Sequence, residues 1–276
     1  MNTITRLSEH HADPVVKFFD ERAEDYSREY DDETPGGYAL RVRRQRVLML
    51  FDQPGGRVLD VGCGPGVMAQ DLVDKGCDFW GLDPSSKMIE IGRRRFPEND
   101  HIHFLSGDAM GLGLPDGLFD AVLCMGVIDA LPDRRQAVRE MLRVLKPGGT
   151  LIVTFTNLRS PYAWWKNFVF YPAVSIWHAL RARLGDTRLK AARKQRLGGK
   201  TRALYTERAA RELLRSEGAE VLQTACYYFN VFLSPLDELF PSFALWVTKK
   251  LEEGAWPRPD WIAAGVIVKG RADGRR

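Results

Sequence analysis

The chain has 276 residues, enough for one large α/β domain or one domain carrying an insertion. Its 45% hydrophobic and 28% charged content suits a globular protein with a buried core and excludes disorder across the whole chain. The formal charge of +4 conceals an asymmetry. Residues 181–202 hold nine basic residues against the single acid Asp186, a local +8 that leaves −4 for the remainder, so the basic character is confined to one segment.

Residues 1–14 are polar and lack the apolar run of a secretory signal. Cys63, Cys77, Cys124 and Cys226 are scattered, with no C-x-x-C pair, which argues against a zinc site or a disulfide framework and suits a reducing cytoplasm. The most apolar window, 168–177, contains Pro172 and is about half the length of a spanning helix. The expectation is a metal-free cytoplasmic protein that does not cross a membrane.

Val15, Phe19, Ala23, Tyr26 and Tyr30 recur at a spacing that predicts one helix over 15–30. Pro35-Gly36-Gly37 predicts a turn, and 38–51 a second helix. After Pro54-Gly55-Gly56, residues 57–61 read as a buried strand, 66–75 as a helix stopped by Gly76, and 78–82 as a strand ending at Asp83. A helix over 85–95, strands over 101–106 and 119–125, a helix over 133–145 broken by Lys146-Pro147-Gly148-Gly149, and a strand over 150–156 complete the run. Strands and helices alternating at this interval require crossover connections and a parallel sheet. From 157 to 201 the rhythm is lost: the stretch is aromatic (Tyr162, Trp164, Trp165, Phe168, Phe170, Tyr171, Trp177) and then basic. Order resumes with a helix over 206–216, a strand over 220–228, a helical region over 237–252 and a last strand over 261–269.

The informative stretch is Asp60-Val61-Gly62-Cys63-Gly64-Pro65-Gly66. Glycines after a strand let the backbone approach a ligand closely, and the next helix points its free N–H groups at it, a setting that suits an anionic group. The dinucleotide pattern G-x-G-x-x-G fails at its third position, which is Val67, so a nicotinamide or flavin cofactor is disfavoured. Asp83 follows Gly62 by 21 residues, where an acid can accept bonds from both hydroxyls of a ribose.

With Gly107-Asp108-Ala109, Phe119-Asp120-Ala121-Val122 and Leu145-Lys146-Pro147-Gly148-Gly149 following in order, this series resembles the class I S-adenosylmethionine-dependent methyltransferases, of the small-molecule, type-11-like kind. The resemblance covers about 57–155. It implies a Rossmann-like, doubly wound α/β fold with a mostly parallel seven-stranded sheet, N-terminal helices and a helical insertion after strand 5. In those terms 1–56 is a helical cover, 57–156 the cofactor-binding core, 157–205 an aromatic and basic substrate cap, and 206–276 the completion of the sheet. It further implies that Gly62, Gly64 and Gly66 pack against the methionine and ribose parts of S-adenosylmethionine. Asp60 would hold the amino group, Asp83 the ribose hydroxyls and Asp108 the adenine amine. Ala109 and Met110 would line the adenine slot, with Met125 near the sulfonium. Tyr26 divides evenly between closing over the methionine end and core packing. The product would be S-adenosylhomocysteine, with no metal required.

The acceptor and its base are less legible. Asp129 follows the fourth strand and either faces the substrate or caps a helix. His178 lies in the aromatic insertion, where a lone histidine is more often structural, and Tyr205 precedes a helix that borders the cleft. His101 and His103 alternate along a strand edge with no chemical role expected. No N/D-P-P-Y run follows the fourth strand and no P-C motif is present, which argues against nucleic-acid bases as acceptors. The stretch 164–177 reads as a wall for an apolar pocket, as plain packing, or as a peripheral membrane contact. The favoured acceptor is a small hydrophobic or amphipathic, lipid-like molecule methylated at oxygen. The alternatives are cyclopropane-type transfer to a lipid alkene and a non-catalytic cofactor- or RNA-binding module.

Overall fold

The protein is described by a computed structural model that covers residues 14–170, 172–174, 176–177, 203–232, 236–254 and 259–273. Its centre is a seven-stranded sheet formed by β1 (Gly56–Val61), β2 (Cys77–Asp83), β3 (Ile102–Ser106), β4 (Phe119–Cys124), β5 (Leu145–Thr156), β6 (Ala219–Phe229) and β7 (Ala263–Ala272). The order across the sheet is β3-β2-β1-β4-β5-β7-β6. β1 to β5 run parallel, and β7 pairs antiparallel with both β5 and β6. The chain winds outward one way from β1 and the other way from β4, which makes the carboxyl ends of these two strands the switch point where open α/β sheets bind ligands.

Alternate residues of the central strands feed two cores, as the two-residue period of a strand requires. Leu59, Val61, Val122, Cys124, Leu151 and Val153 pack on one face with α6 (Arg134–Val144) and α8 (Glu207–Ser216). Val58, Phe79, Ala121, Leu123 and Ile152 pack on the other with α3 (Pro35–Leu50) and α4 (Ala69–Asp74). Asp60 shares the parity of Val58 and therefore turns toward the α3 face.

Several boundaries differ from expectation for local reasons. The single helix expected over 15–30 is two, α1 (Pro14–Glu21) and α2 (Ala23–Glu29), because Arg22 leaves the helical region at φ −116°, ψ 12°. The expected turn at Pro35-Gly36-Gly37 is instead the first turn of α3: proline suits that position, and Thr34 Oγ1 caps it by accepting from the Gly37 amide at 3.1 Å. The helix expected from 66 begins only at Ala69, since Gly66 holds φ +74°. β5 starts at Leu145, with the Lys146–Gly149 stretch absorbed as a register shift against β4. The helical region over 237–252 divides at Phe240 into α9 (Leu236–Leu239) and α10 (Pro241–Glu252). α5 (Ser86–Arg95) connects β2 to β3, and the insertion after β5 opens with α7 (Pro161–Trp165).

The antiparallel edge carries two unusual backbone positions. Gly265 lies in β7 under the Tyr227 ring, where a Cβ would fall 2.1 Å from Tyr227 Cζ. Tyr228 holds φ +56°, rare for a bulky residue; its hydroxyl donates to the Pro35 carbonyl at 3.1 Å and ties β6 to the start of α3. Gly265→Ala should therefore destabilise the protein by about 1–3 kcal/mol through overpacking. A denaturant midpoint measurement checks this, with Tyr227→Ala in the same chain restoring part of the loss.

Candidate functional site

Next to the end of β1 stands Asp60, which is fully buried, and neither of its carboxylate oxygens has a hydrogen-bond partner. Burial pushes this carboxyl up to about 7; the Asp83 charge adds to the rise and the Arg43 charge opposes it. A buried acid in this condition is stabilised by a cationic donor. The next strand ends in Asp83, whose Oδ2 accepts from the Gly64 amide and Oδ1 from the Ser85 amide, both at 2.9 Å. Burial pushes Asp83 up to about 6 against the pull of these two amides, with Asp20 adding to the rise. Ser85 Oγ in turn donates to Asp20 Oδ1 at 2.5 Å, so the acid-braced turns are tied to α1.

The three glycines of the turn do different things. The Gly62 and Cys63 amides both donate to the Leu82 carbonyl, at 2.7 and 3.2 Å, and a Cβ on Gly62 would fall 2.2 Å from Val127 Cγ2. A Cβ on Gly66 would enter the Phe104 ring at 2.6 Å. Both glycines are thus required by packing within the protein. At Gly64 a Cβ would meet only ordinary contacts, with Tyr26 Cε1 at 3.8 Å and Met88 Sδ at 4.0 Å. Tyr26 therefore stands over the turn, held edge-on by Phe19 and Tyr30 at 5.6 and 5.8 Å. Along the same edge, Asp108 Oδ1 accepts from the Met110 amide at 3.0 Å, Ala109 and Met125 are buried, and Met110 is partly buried.

Arg43 was not singled out by the sequence. Its guanidinium lies against Gly126, just beyond β4, where a Cβ would fall 2.2 Å from Nη1. Nη2 donates to Tyr30 Oη at 3.3 Å, and the Gly126 amide donates to Thr154 Oγ1 at 2.8 Å. Among the described residues Arg43 forms no ion pair. The one signal that could have found it is spacing: Arg43 shares a helical face with Val47 and Leu50, both buried. A carboxylate without donors near the end of β1 and, beside Gly126 just beyond β4, a guanidinium without a carboxylate partner thus stand within electrostatic reach of each other. Together with Asp83, this arrangement fits a ligand that carries an ammonium, a carboxylate and a ribose. The residues fit S-adenosylmethionine.

The expected base candidates are placed elsewhere in the network. Asp129 is buried in a short 3-10 turn (Ile128–Ala130), and its Oδ2 accepts from the Thr156 amide at 2.8 Å and from Thr156 Oγ1 at 2.5 Å. Tyr205 packs edge-on against Phe155 at 5.0 Å, and burial raises its hydroxyl above the ordinary range. His178 lies outside the described residues. His101 pairs with Asp78 at 2.6 Å, and His103 lies against Trp80 at 4.5 Å, both on the β2–β3 edge. A surface cavity of about 590 Å³ opens beside them, lined by residues such as Trp80, Phe96 and His103 and by none from the glycine turn.

Residues 59–153 match the family model for a methyltransferase domain. The demethylmenaquinone methyltransferase of Renibacterium salmoninarum is 38% identical over 156 residues, covering 54% of this chain and 64% of that one. The enzyme of the same name from Paenarthrobacter aurescens is 35% identical over 168 residues, covering 61% and 60%. The chain therefore spans less than two thirds of the length of these relatives. Among solved structures, a possible histamine N-methyltransferase from Thermotoga maritima superposes with a TM-score of 0.59 at 22% identity, covering 93% of this chain and 99% of that one. Magnesium protoporphyrin IX methyltransferase from Synechocystis, with bound SAH, gives 0.57 at 15% identity, covering 94% and 98%. At these identities the structural likeness is one of fold.

If Asp60 receives a ligand ammonium, binding must release its proton. Affinity for S-adenosylhomocysteine should then be constant above about pH 7 and fall as pH drops below it, by up to about a hundredfold at pH 5. Calorimetry across this range checks the slope, and Asp60→Asn should both weaken binding and flatten it.

Proposed function

Starting from a chain whose residues 59–153 form a class I S-adenosylmethionine-dependent methyltransferase domain, we propose that the protein is an enzyme that methylates a small, apolar, hydroxylated aromatic acceptor of the quinol class. The observation that carries the cofactor half of this reading is the buried Asp60 carboxylate, left without donors within electrostatic reach of Arg43. The acceptor half is supported by the relatives' shared name, demethylmenaquinone methyltransferase.

In this reading Asp60 takes the cofactor's ammonium, Arg43 its carboxylate and Asp83 its ribose hydroxyls, while Asp108, Ala109 and Met110 border the adenine. The cofactor, when bound, supplies a methyl group already activated on a sulfonium. The chain's task is alignment, and positioning of this kind accounts for about 7–11 kcal/mol of a barrier. Tyr26 shields the glycine turn from water, and Met125 gives the end of β4 an apolar surface. The quinol hydroxyl passes its proton to solvent in this reading, since Asp129 is engaged by Thr156 and burial raises the Tyr205 hydroxyl. An ionised quinol accepts a methyl group at oxygen, the outcome expected from the sequence, or at the adjoining ring carbon.

The test is incubation of the purified chain with methyl-labelled S-adenosylmethionine and a reduced naphthoquinone lacking the ring methyl. Label in the quinone, located on oxygen or carbon by fragmentation, is the expected result; label only in polar or nucleic-acid fractions of an extract would sink the acceptor class. Arg43→Ala should lower affinity for S-adenosylhomocysteine about ten- to hundredfold, since bonds to a charged partner contribute about 1.5–3 kcal/mol. Arg43→Lys should recover only part, because lysine lacks the planar fork.

A further inference from the structure

A second concavity, a groove of about 460 Å³, lies away from the glycine turn, between the loop after β5 and α8. Arg208, Arg211 and Arg215 line it from one face of α8, three and four residues apart, and Arg159 faces them from the loop. Against these four cations stand Glu207 and Glu212. Glu207 is already shared, accepting from Arg211 Nη1 at 3.4 Å and from Thr224 Oγ1 at 2.8 Å. Arg211 Nε is shielded from solvent and has no hydrogen-bond partner. The side chains of Arg208 and Arg215 form no ion pair among the described residues.

The two walls of the groove are fixed to one another. Asn157 Oδ1 accepts from the Arg159 amide at 3.0 Å while its own amide group donates to the Ala263 carbonyl at 2.8 Å. Leu158 donates to the Tyr205 carbonyl at 2.8 Å, and Tyr205 to the Thr156 carbonyl at 2.9 Å. Thr206 then caps α8, its Oγ1 accepting from the Ala209 amide at 3.2 Å. The arginines therefore project from a preorganised frame whose helix N-terminus adds a positive end to the same groove. Guanidinium groups arranged in this way match the oxygens of a phosphate.

The surface beside the groove is apolar. α7 begins two residues after Arg159, and Leu158, Trp164 and Phe168 are all exposed, with Trp164 and Phe168 in ring contact at 5.9 Å. Five residues of chain separate Arg159 from Trp164, so the two backbones lie within about 18 Å. Arginines beside exposed tryptophan and phenylalanine form the pairing that settles at a lipid headgroup layer.

We propose that the groove binds the phosphate of an anionic phospholipid, and that this contact seats the exposed Trp164 and Phe168 in a membrane surface. The contact is peripheral, since no helix among the described residues is long and apolar enough to cross a membrane. It is independent of methyl transfer: none of its residues belongs to the cofactor site, and its readout requires no turnover.

The full chain is sedimented with vesicles of phosphatidylcholine alone and of phosphatidylcholine with phosphatidylglycerol. Binding to the mixed vesicles, weakened by salt, is expected. Arg208→Glu with Arg215→Glu should reduce it about tenfold or more while leaving the melting temperature close to that of the parent. This double reversal is decisive because the basic run 181–202 could by itself attract anionic vesicles; unchanged binding in the variant would overturn the groove as the site. Trp164→Ala should remove the part of the binding that survives high salt. Equal binding to both vesicle types, or to neither, overturns the proposal. Calorimetry with inorganic diphosphate separates the sources: binding of diphosphate without binding of vesicles would assign the groove to a soluble phosphate and overturn the lipid.

Discussion

Two carboxylates stand at or next to the ends of neighbouring parallel strands at the centre of this sheet, and burial raises both Asp60 and Asp83. Asp83 is stabilised from within the protein by the Gly64 and Ser85 amides, and these bonds shape the glycine turn and the start of α5. Asp60 has no such donors, and its charge is opposed only at a distance by Arg43. The asymmetry divides the labour between the two acids. One builds the turn, and the other leaves an electrostatic requirement that a cationic ligand can meet.

The rest of the site follows from that requirement. Gly126 must be glycine because the Arg43 guanidinium occupies the space of its side chain. Gly62 and Gly66 must be glycine because Val127 and Phe104 fill theirs, whereas at Gly64, beneath Tyr26, a Cβ would meet only ordinary contacts. Two of the motif's three glycines are thus fixed by packing inside the protein.

The core from β1 to β5 was legible because buried parallel strands are short apolar runs, each ended by a glycine or an acid and followed by a helical period. The errors lie where one residue's backbone overrides the pattern. Arg22 interrupts a run of well-spaced aromatics, Pro35 starts a helix where the dipeptide after it suggested a turn, and Phe240 separates two helices that share one apolar rhythm. Arg43 escaped notice for another reason. It sits among Arg41, Arg44 and Arg46, three arginines that find Glu33, Asp71 and Glu252 respectively, and nothing in their order marks the one that turns inward. The groove on α8 was equally hidden, because Arg159 lies about fifty residues from the helix that faces it.

The N-terminal cover is fastened to the rest of the chain along its whole length. α3, which carries Arg43, is anchored at several points along its length: Tyr228 to Pro35, Arg44 to Asp71, and Arg46 to the nearly inaccessible Glu252. α1 and α2, which carry Phe19 and Tyr26, reach the core's far side through Ser85 to Asp20 and the solvent-exposed pair Arg94–Glu24. Residues 30–34, which join α2 to α3, are held as well: Arg41 Nη1 donates to the Tyr30 and Asp32 carbonyls at 2.9 and 2.7 Å, and Arg43 Nη2 to the Tyr30 hydroxyl at 3.3 Å. Tyr26, Tyr30 and Arg43 therefore form one connected frame, so a displacement of α2 would draw on the bond that positions the Arg43 guanidinium.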